Sequence, residues 1–421
     1  MMVEGYLIGT LLLFFLGPID FNYRNKPYFI ILMILYHTSF VAGFIYACKK
    51  KFIHRERSDE IFSVRKFWIL LGLGTIGVIA TYNNLMLSET VIPYDFFENL
   101  TRGISEPGLV YAARMSNLEQ FVNSDSRLFN ISSIFFSFAK LLFIFYFVYF
   151  WRETNSSQKA FSIIYSFIFV SSGISAGVNS VIFIFIIFLL FSIFVIFYLK
   201  KSKYYKYFIY ISILIMIAPI LSFGNIMSQR GGGFDYFVST SPLGDISLKT
   251  SFEVGDNSTF LDFLYYSLVW LSYYVVQGYY GFSLIINLDW NWTFGFGNSE
   301  FLQRQFSLIS GYDISNLTYQ HRISDYWDKS AQWHSFYGQF ANDFGIFGLI
   351  FLMVALGYHF AMICQSATIQ KSFYAAALIP IFAIMFIFFP ANNQVFAFID
   401  MLSYFIFINV FWFFEGKKIK A

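Results

Sequence analysis

The run VIFIFIIFLLFSIFVIFYL, residues 181–199, carries no charge and stops against Lys200, Lys201, Lys203 and Lys206. A hydrocarbon core about 30 Å thick takes roughly 17 to 25 apolar helical residues to cross, so this run reads as a transmembrane helix whose cations stay among the headgroups. Similar runs recur at 3–16, 27–48, 67–82, 131–151, 160–176, 207–222, 344–364, 373–389 and 394–414. They spread over the whole chain, which is 57% apolar and only 13% charged, against roughly 25% charged residues in soluble domains. Composition therefore excludes an ordinary soluble enzyme. It predicts an all-α polytopic membrane protein, residues 1–421 forming a single integral membrane domain.

Ten runs are clear spans. An eleventh apolar stretch, 261–288, carries Gln277 and Gly278 in its middle. Lys and Arg in short loops stay on the cytoplasmic side, and seventeen of the 28 basic residues fall in five such places. These are 49–66, 152–159, 200–206, 371 and 417–420. Both termini are then cytoplasmic and the span count is even. That parity predicts that 261–288 does not cross once: it is either a re-entrant hairpin turning near Gly278 or two short tilted spans, about a dozen spans in all. The first run lacks the basic start and small-residue cleavage site of a signal peptide and reads as a retained span.

Cys48 and Cys364 suggest neither a disulfide framework nor a thiolate metal site. The cytoplasmic loops hold no Gly-rich phosphate cradle, no Asp-x-Asp pair and no room for a nucleotide-binding domain, and nothing points to nucleic acid. Three long loops fall on the opposite, outer face, at about 83–130, 223–260 and 289–343. Loops longer than about 12 to 15 residues are usually functional or disordered. These are rich in Trp, Tyr and Phe, unlike disordered tails, so the working surface is expected outside.

The last loop is the most informative. Gln277-Gly278-Tyr279-Tyr280-Gly281 precedes it, Gly295-x-Gly297-x-Ser299 lies within it, and Trp333-His334-Ser335 then Ala341-Asn342-Asp343 close it before a span. This pattern, over roughly residues 260–360, resembles that of bacterial O-antigen polymerases, which join oligosaccharide repeat units. The resemblance implies an inner-membrane glycosyltransferase, similar in architecture to other membrane-embedded lipid-donor glycosyltransferases. It would transfer glycan from an undecaprenyl diphosphate carrier onto a lipid-linked repeat unit at the periplasmic face. It implies no metal and no cofactor, and a separate co-polymerase that regulates chain length.

Residue chemistry fits such a reaction. A diphosphate leaving group needs fixed cations, and a guanidinium binds phosphate oxygens bidentately. The candidates are Arg230, beside Gly231 to Gly233, with Arg304 and Arg322; each could instead pair with an Asp such as Asp235 or Asp325. An acceptor hydroxyl needs a base. His334 and Asp325 are the first choices, with His321 and Asp328 nearby, although His334 could equally be a structural histidine. Asp343, just before Phe344, could cap its helix. Lys140 and Asp400 lie inside apolar runs, where charge is costly and usually partnered. They pair with one another, or Lys140 meets the lipid diphosphate.

Two other readings remain. A lipid-oligosaccharide flippase or other transporter would share the span count, but such proteins usually show internal repeats, and none is evident. An O-antigen ligase would use the same donor and pass the glycan to a different acceptor.

Overall fold

A computed structural model describes residues 2–23, 25–50, 60–86, 93–121, 127–204, 206–212, 214–215, 220–221, 223–224, 246–249, 260–329 and 332–415. In chain order these contain α1 (Met2–Leu16), β1 (Ile19–Phe21), α2 (Lys26–Lys49), α3 (Val64–Met86), α4 (Phe96–Ser105), α5 (Pro107–Phe121), α6 (Arg127–Tyr149), α7 (Ser156–Ser175) and α8 (Asn179–Leu199). There follow β2 (Ile246–Leu248), α9 (Phe260–Ile285), α10 (Glu300–Ser310), a 3-10 turn (Ile314–Leu317), α11 (Tyr319–Arg322), α12 (Phe336–Thr368), α13 (Phe373–Phe388), α14 (Gln394–Ala397) and α15 (Ile399–Glu415).

Local sequence explains several boundaries. Pro27 stands in the first turn of α2, where its missing N–H costs nothing. Asn155 and Gln158 bond reciprocally as a capping box at the start of α7. Ser299 accepts the Leu302 N–H at the start of α10, and Gly311, at φ 70°, ends that helix in the left-handed region. Among the described residues, Lys26–Lys49, Val64–Asn83, Ser180–Leu199 and Phe336–Thr368 are long and apolar enough to cross a membrane. Met2–Leu16 and Phe373–Phe388 are shorter apolar helices.

The contacts fall into two compact units. One comprises Met1–Phe52, Met216–Met362 and Met385–Phe398; the other comprises Ile53–Ile215, Ile363–Ile384 and Ile399–Ala421. In the first, α1 packs on α9, and β1 pairs antiparallel with β2, Ile19 opposite Leu248 and Phe21 opposite Ile246. The α2–α12 crossing is close enough that a Cβ on Gly43 would lie 2.0 Å from the Val354 carbonyl oxygen, and one on Gly357 2.0 Å from that of Phe40. Lipid supplies no hydrophobic drive between helices, so such backbone approach is what membrane helices pack by. In the second unit α6 is central, against α3, α8 and α15, while α7 packs on α3, α4 and α8.

Three expectations require correction. Residues 261–288 contain no hairpin at Gly278: α9 is one continuous helix from Phe260 to Ile285, about 39 Å long at 1.5 Å per residue. Gly278 is there because a Cβ would sit 2.4 to 2.6 Å from the Pro390 oxygen, the Ser335 nitrogen and the Ala391 oxygen. It permits contact and does not break the helix. Second, α12 is interrupted at Gly345, whose φ of 68° and ψ of 168° lie outside helical space, so residues 336–344 form a separate helical piece before the apolar run. Third, the 394–414 run divides at Phe398 into α14 and α15. Within 83–130 and 289–343 the chain also forms α4, α5, α10 and α11. Of the 207–222 run, residues 213, 216–219 and 222 lie outside the described residues.

Candidate functional site

The residues that opened the sequence argument about 289–343 meet in the first unit. Gln277 Oε1, on the buried face of α9, accepts the Trp333 N–H at 3.2 Å, and Tyr273 donates to Gln332 Oε1 at 2.7 Å. Trp327 Nε1 donates to the Trp333 carbonyl at 3.0 Å, and its ring meets Tyr280 edge-on at 5.0 Å. Phe21 of β1 stacks on Tyr273, which ties the two-stranded sheet to the same helix face. The 277–281 and 332–335 segments are thus two halves of one packed structure.

His334 lies inside it, 4% exposed, and neither ring nitrogen has a hydrogen-bond partner among the described residues. A Cβ on Gly281 would come within 3.2 Å of its Nδ1, so that glycine makes room for the ring. Burial pushes the imidazole pKa down from 6.5 to about 3, and the nearby Asp328 carboxylate offsets this only in part. The ring is therefore neutral at pH 7 and, sealed from solvent, a weak base in this closed arrangement.

A second polar centre holds residues 293–298. Asp343 Oδ1 accepts from Thr293 Oγ1 at 2.5 Å and the Gly297 N–H at 3.0 Å; Oδ2 accepts the Asn298 N–H at 3.0 Å and its side-chain amide at 2.8 Å. The carboxylate turns to this loop and does not cap its own helix, which corrects the sequence expectation. Asn342 beside it accepts the Tyr319 N–H and donates to the Gly297 carbonyl and Gln320 Oε1. Asn393 donates to the Asn298 carbonyl, while its own Oδ1 is buried without a partner among the described residues. The clamped loop presents Phe294, with φ 56°, and Gly295, with φ 86°. Trp292 and Phe294 pack at 4.7 Å and are half exposed.

The expected cations are placed differently from one another. Arg230 lies outside the described residues. Arg304 is exposed on α10. Arg322 donates to the Asp289 carbonyl at 2.5 Å and lies over the Tyr319 ring, 5.6 Å from its centroid. Asp325 is exposed in the turn after α11. No hydrogen bond or ion pair among the described residues joins Arg304, Arg322, Asp325 or His334 to another of the four. Sequence reasoning missed Asn393 and Gln320; the Asn392-Asn393-Gln394 run of amides ahead of an apolar segment was the signal for the first.

In the second unit Lys140 and Asp400 form an ion pair. Thr81 donates to Asp400 Oδ2 and Ser137 to Oδ1, at 2.9 and 2.7 Å. Lys140 also donates to Thr81 and stands over the Phe169 ring. Of the two sequence readings, pairing is the one observed. Among the described residues no three His, Cys, Asp or Glu side chains converge as metal ligands would.

These features define an all-α chain of apolar, membrane-length helices, the build of a multi-pass membrane protein, with folded polar and aromatic chain between α9 and α12. Comparisons with family models, curated proteins and solved structures return no match.

Proposed function

We propose that the chain is an inner-membrane glycosyltransferase that polymerises undecaprenyl-diphosphate-linked oligosaccharide repeat units at the periplasmic face, with about a dozen spans and cytoplasmic termini. One observation supports this above the others: the 277–281 and 332–335 motifs that carry the resemblance pack together around a buried neutral imidazole, His334. Arg304 and Arg322 stand on the same inter-helix segment and supply guanidinium groups of the kind a diphosphate needs. Because His334 is closed off, its use as a base requires the acceptor to open the Trp327–Trp333 contact. The alternative is that it only positions that contact.

Deleting the gene and separating surface polysaccharide on gels tests the reading. Core carrying one repeat unit supports a polymerase. Complete loss of attached glycan with lipid-linked polymer accumulating indicates a ligase instead.

A transporter reading has its own observation. His37 Nδ1 lies 2.8 Å from Glu4 Oε2 between α1 and α2, and Glu4 Oε1 is buried without a partner among the described residues. Intramembrane ionisable pairs often mark proton or substrate paths. Repeat units trapped on the cytoplasmic side of the deletion strain would favour it.

A further inference from the structure

The second unit contains a groove of about 330 Å³ that the proposed reaction does not use. Ser63, Arg65 and Lys66 stand at one end, and Leu70 of α3, Phe138 and Leu142 of α6 and Phe411 of α15 line it further along. We propose that it binds one acidic glycerophospholipid, phosphate at Arg65 and an acyl chain along the apolar wall.

Three observations select this occupant. The walls are hydrocarbon and aromatic, so a free anion would leave most of the groove unfilled. The groove is open along its wall, where Ile69 is 48% exposed. On an apolar helix such a face meets lipid chains. The two cations also differ. Lys66 is committed to Glu60, with the Tyr374 hydroxyl 3.4 Å away, and lies over the Tyr146 and Phe373 rings. Arg65 is exposed and makes no ion pair or hydrogen bond among the described residues, which leaves one guanidinium for a headgroup. Its fork suits a phosphate diester.

The mouth lies where α3 and α13 begin and α15 approaches its end, at the face where Lys and Arg concentrate in the sequence. Basic pockets between spans on that face are suited to acidic headgroups. A tail-bearing anion thus matches both ends of the groove, whereas a neutral phospholipid matches only one.

The test is native mass spectrometry of the full-length protein, purified in a neutral detergent and exchanged with mixed micelles of phosphatidylglycerol and phosphatidylcholine. Wild type is expected to retain one phosphatidylglycerol in preference to phosphatidylcholine. Arg65→Gln should lower that preference about fivefold, the worth of one basic residue at an acidic surface. Leu142→Trp, which fills the groove, should remove the retained lipid. Arg152→Gln, an exposed arginine elsewhere on the basic face, should change neither. The proposal is overturned if Arg65→Gln leaves the preference intact, or if Arg152→Gln lowers it equally, which would mean general surface attraction. Arg65 is exposed and unpaired, so its substitution reports even if Leu142→Trp does not fold.

Discussion

Replacing Asp343 with Ala removes the one carboxylate that organises residues 293–298. Two of its four donors, the backbone N–H groups of Gly297 and Asn298, are buried and have no other acceptor among the described residues. Each orphaned buried donor costs about 1–3 kcal/mol, so the variant should lose about 2–6 kcal/mol. The other two donors add little: the Thr293 hydroxyl can rotate, and the Asn298 amide already reaches the Gly295 carbonyl at 3.3 Å. Asp343→Asn keeps one acceptor oxygen and turns an NH2 toward the second pair of donors, so it should lose roughly half as much. Thermal unfolding of detergent-purified protein gives the ranking, and hydrogen exchange locates the damage at 293–298. Asp325→Ala serves as the exposed control and should lie within about 0.5 kcal/mol of wild type. Should Asp343→Ala melt with wild type and keep slow exchange at 297 and 298, the carboxylate does not hold the loop.

Removing either member of the Lys140–Asp400 pair should cost about 3–5 kcal/mol, because a buried charge is left uncompensated. Lys140→Met combined with Asp400→Leu should recover much of that loss, and a double variant no better than the worse single one would contradict the pairing. His334 makes stability pH-dependent with a definite sign. Its folded pKa of about 3 lies below the ordinary 6.5, so the unfolded chain binds the extra proton and stability declines as pH falls below about 6.5 towards 3. Melting curves between pH 7 and 5 should show this decline reduced in His334→Gln, and equal slopes would refute it. Gly278→Ala should destabilise although Ala is the better helix former, since its Cβ meets backbone at 2.4 Å; a rise in melting temperature would refute the close backbone approach. Arg304→Lys and Arg322→Lys should shorten polysaccharide ladders without loss of expressed protein. Normal ladders from both would remove these two arginines from the proposed reaction.

Helix positions were legible because hydropathy and end signals are local. The uncharged 181–199 run became α8, and the 27–48 run became α2. The Lys140–Asp400 pairing was also readable, since two lone charges in apolar runs each need a partner and each was the other's natural choice.

The use made of Gly278 and Asp343 was not readable. A glycine in an apolar helix can weaken it or admit another backbone, and the groups that decide, Ser335, Pro390 and Ala391, are more than 50 residues away. An Asp ahead of an apolar run can cap its own helix, but this one found two backbone donors and two side chains in 293–298. The sequence by itself determined which stretches leave water and become helices, because transfer free energy depends on the side chains of the stretch. Only the tertiary structure decided which polar groups satisfy one another and which, like His334 and Asn393, retain unpartnered atoms. A buried hydrogen-bonding group takes whatever complementary group the packing delivers, and sequence distance does not limit that choice.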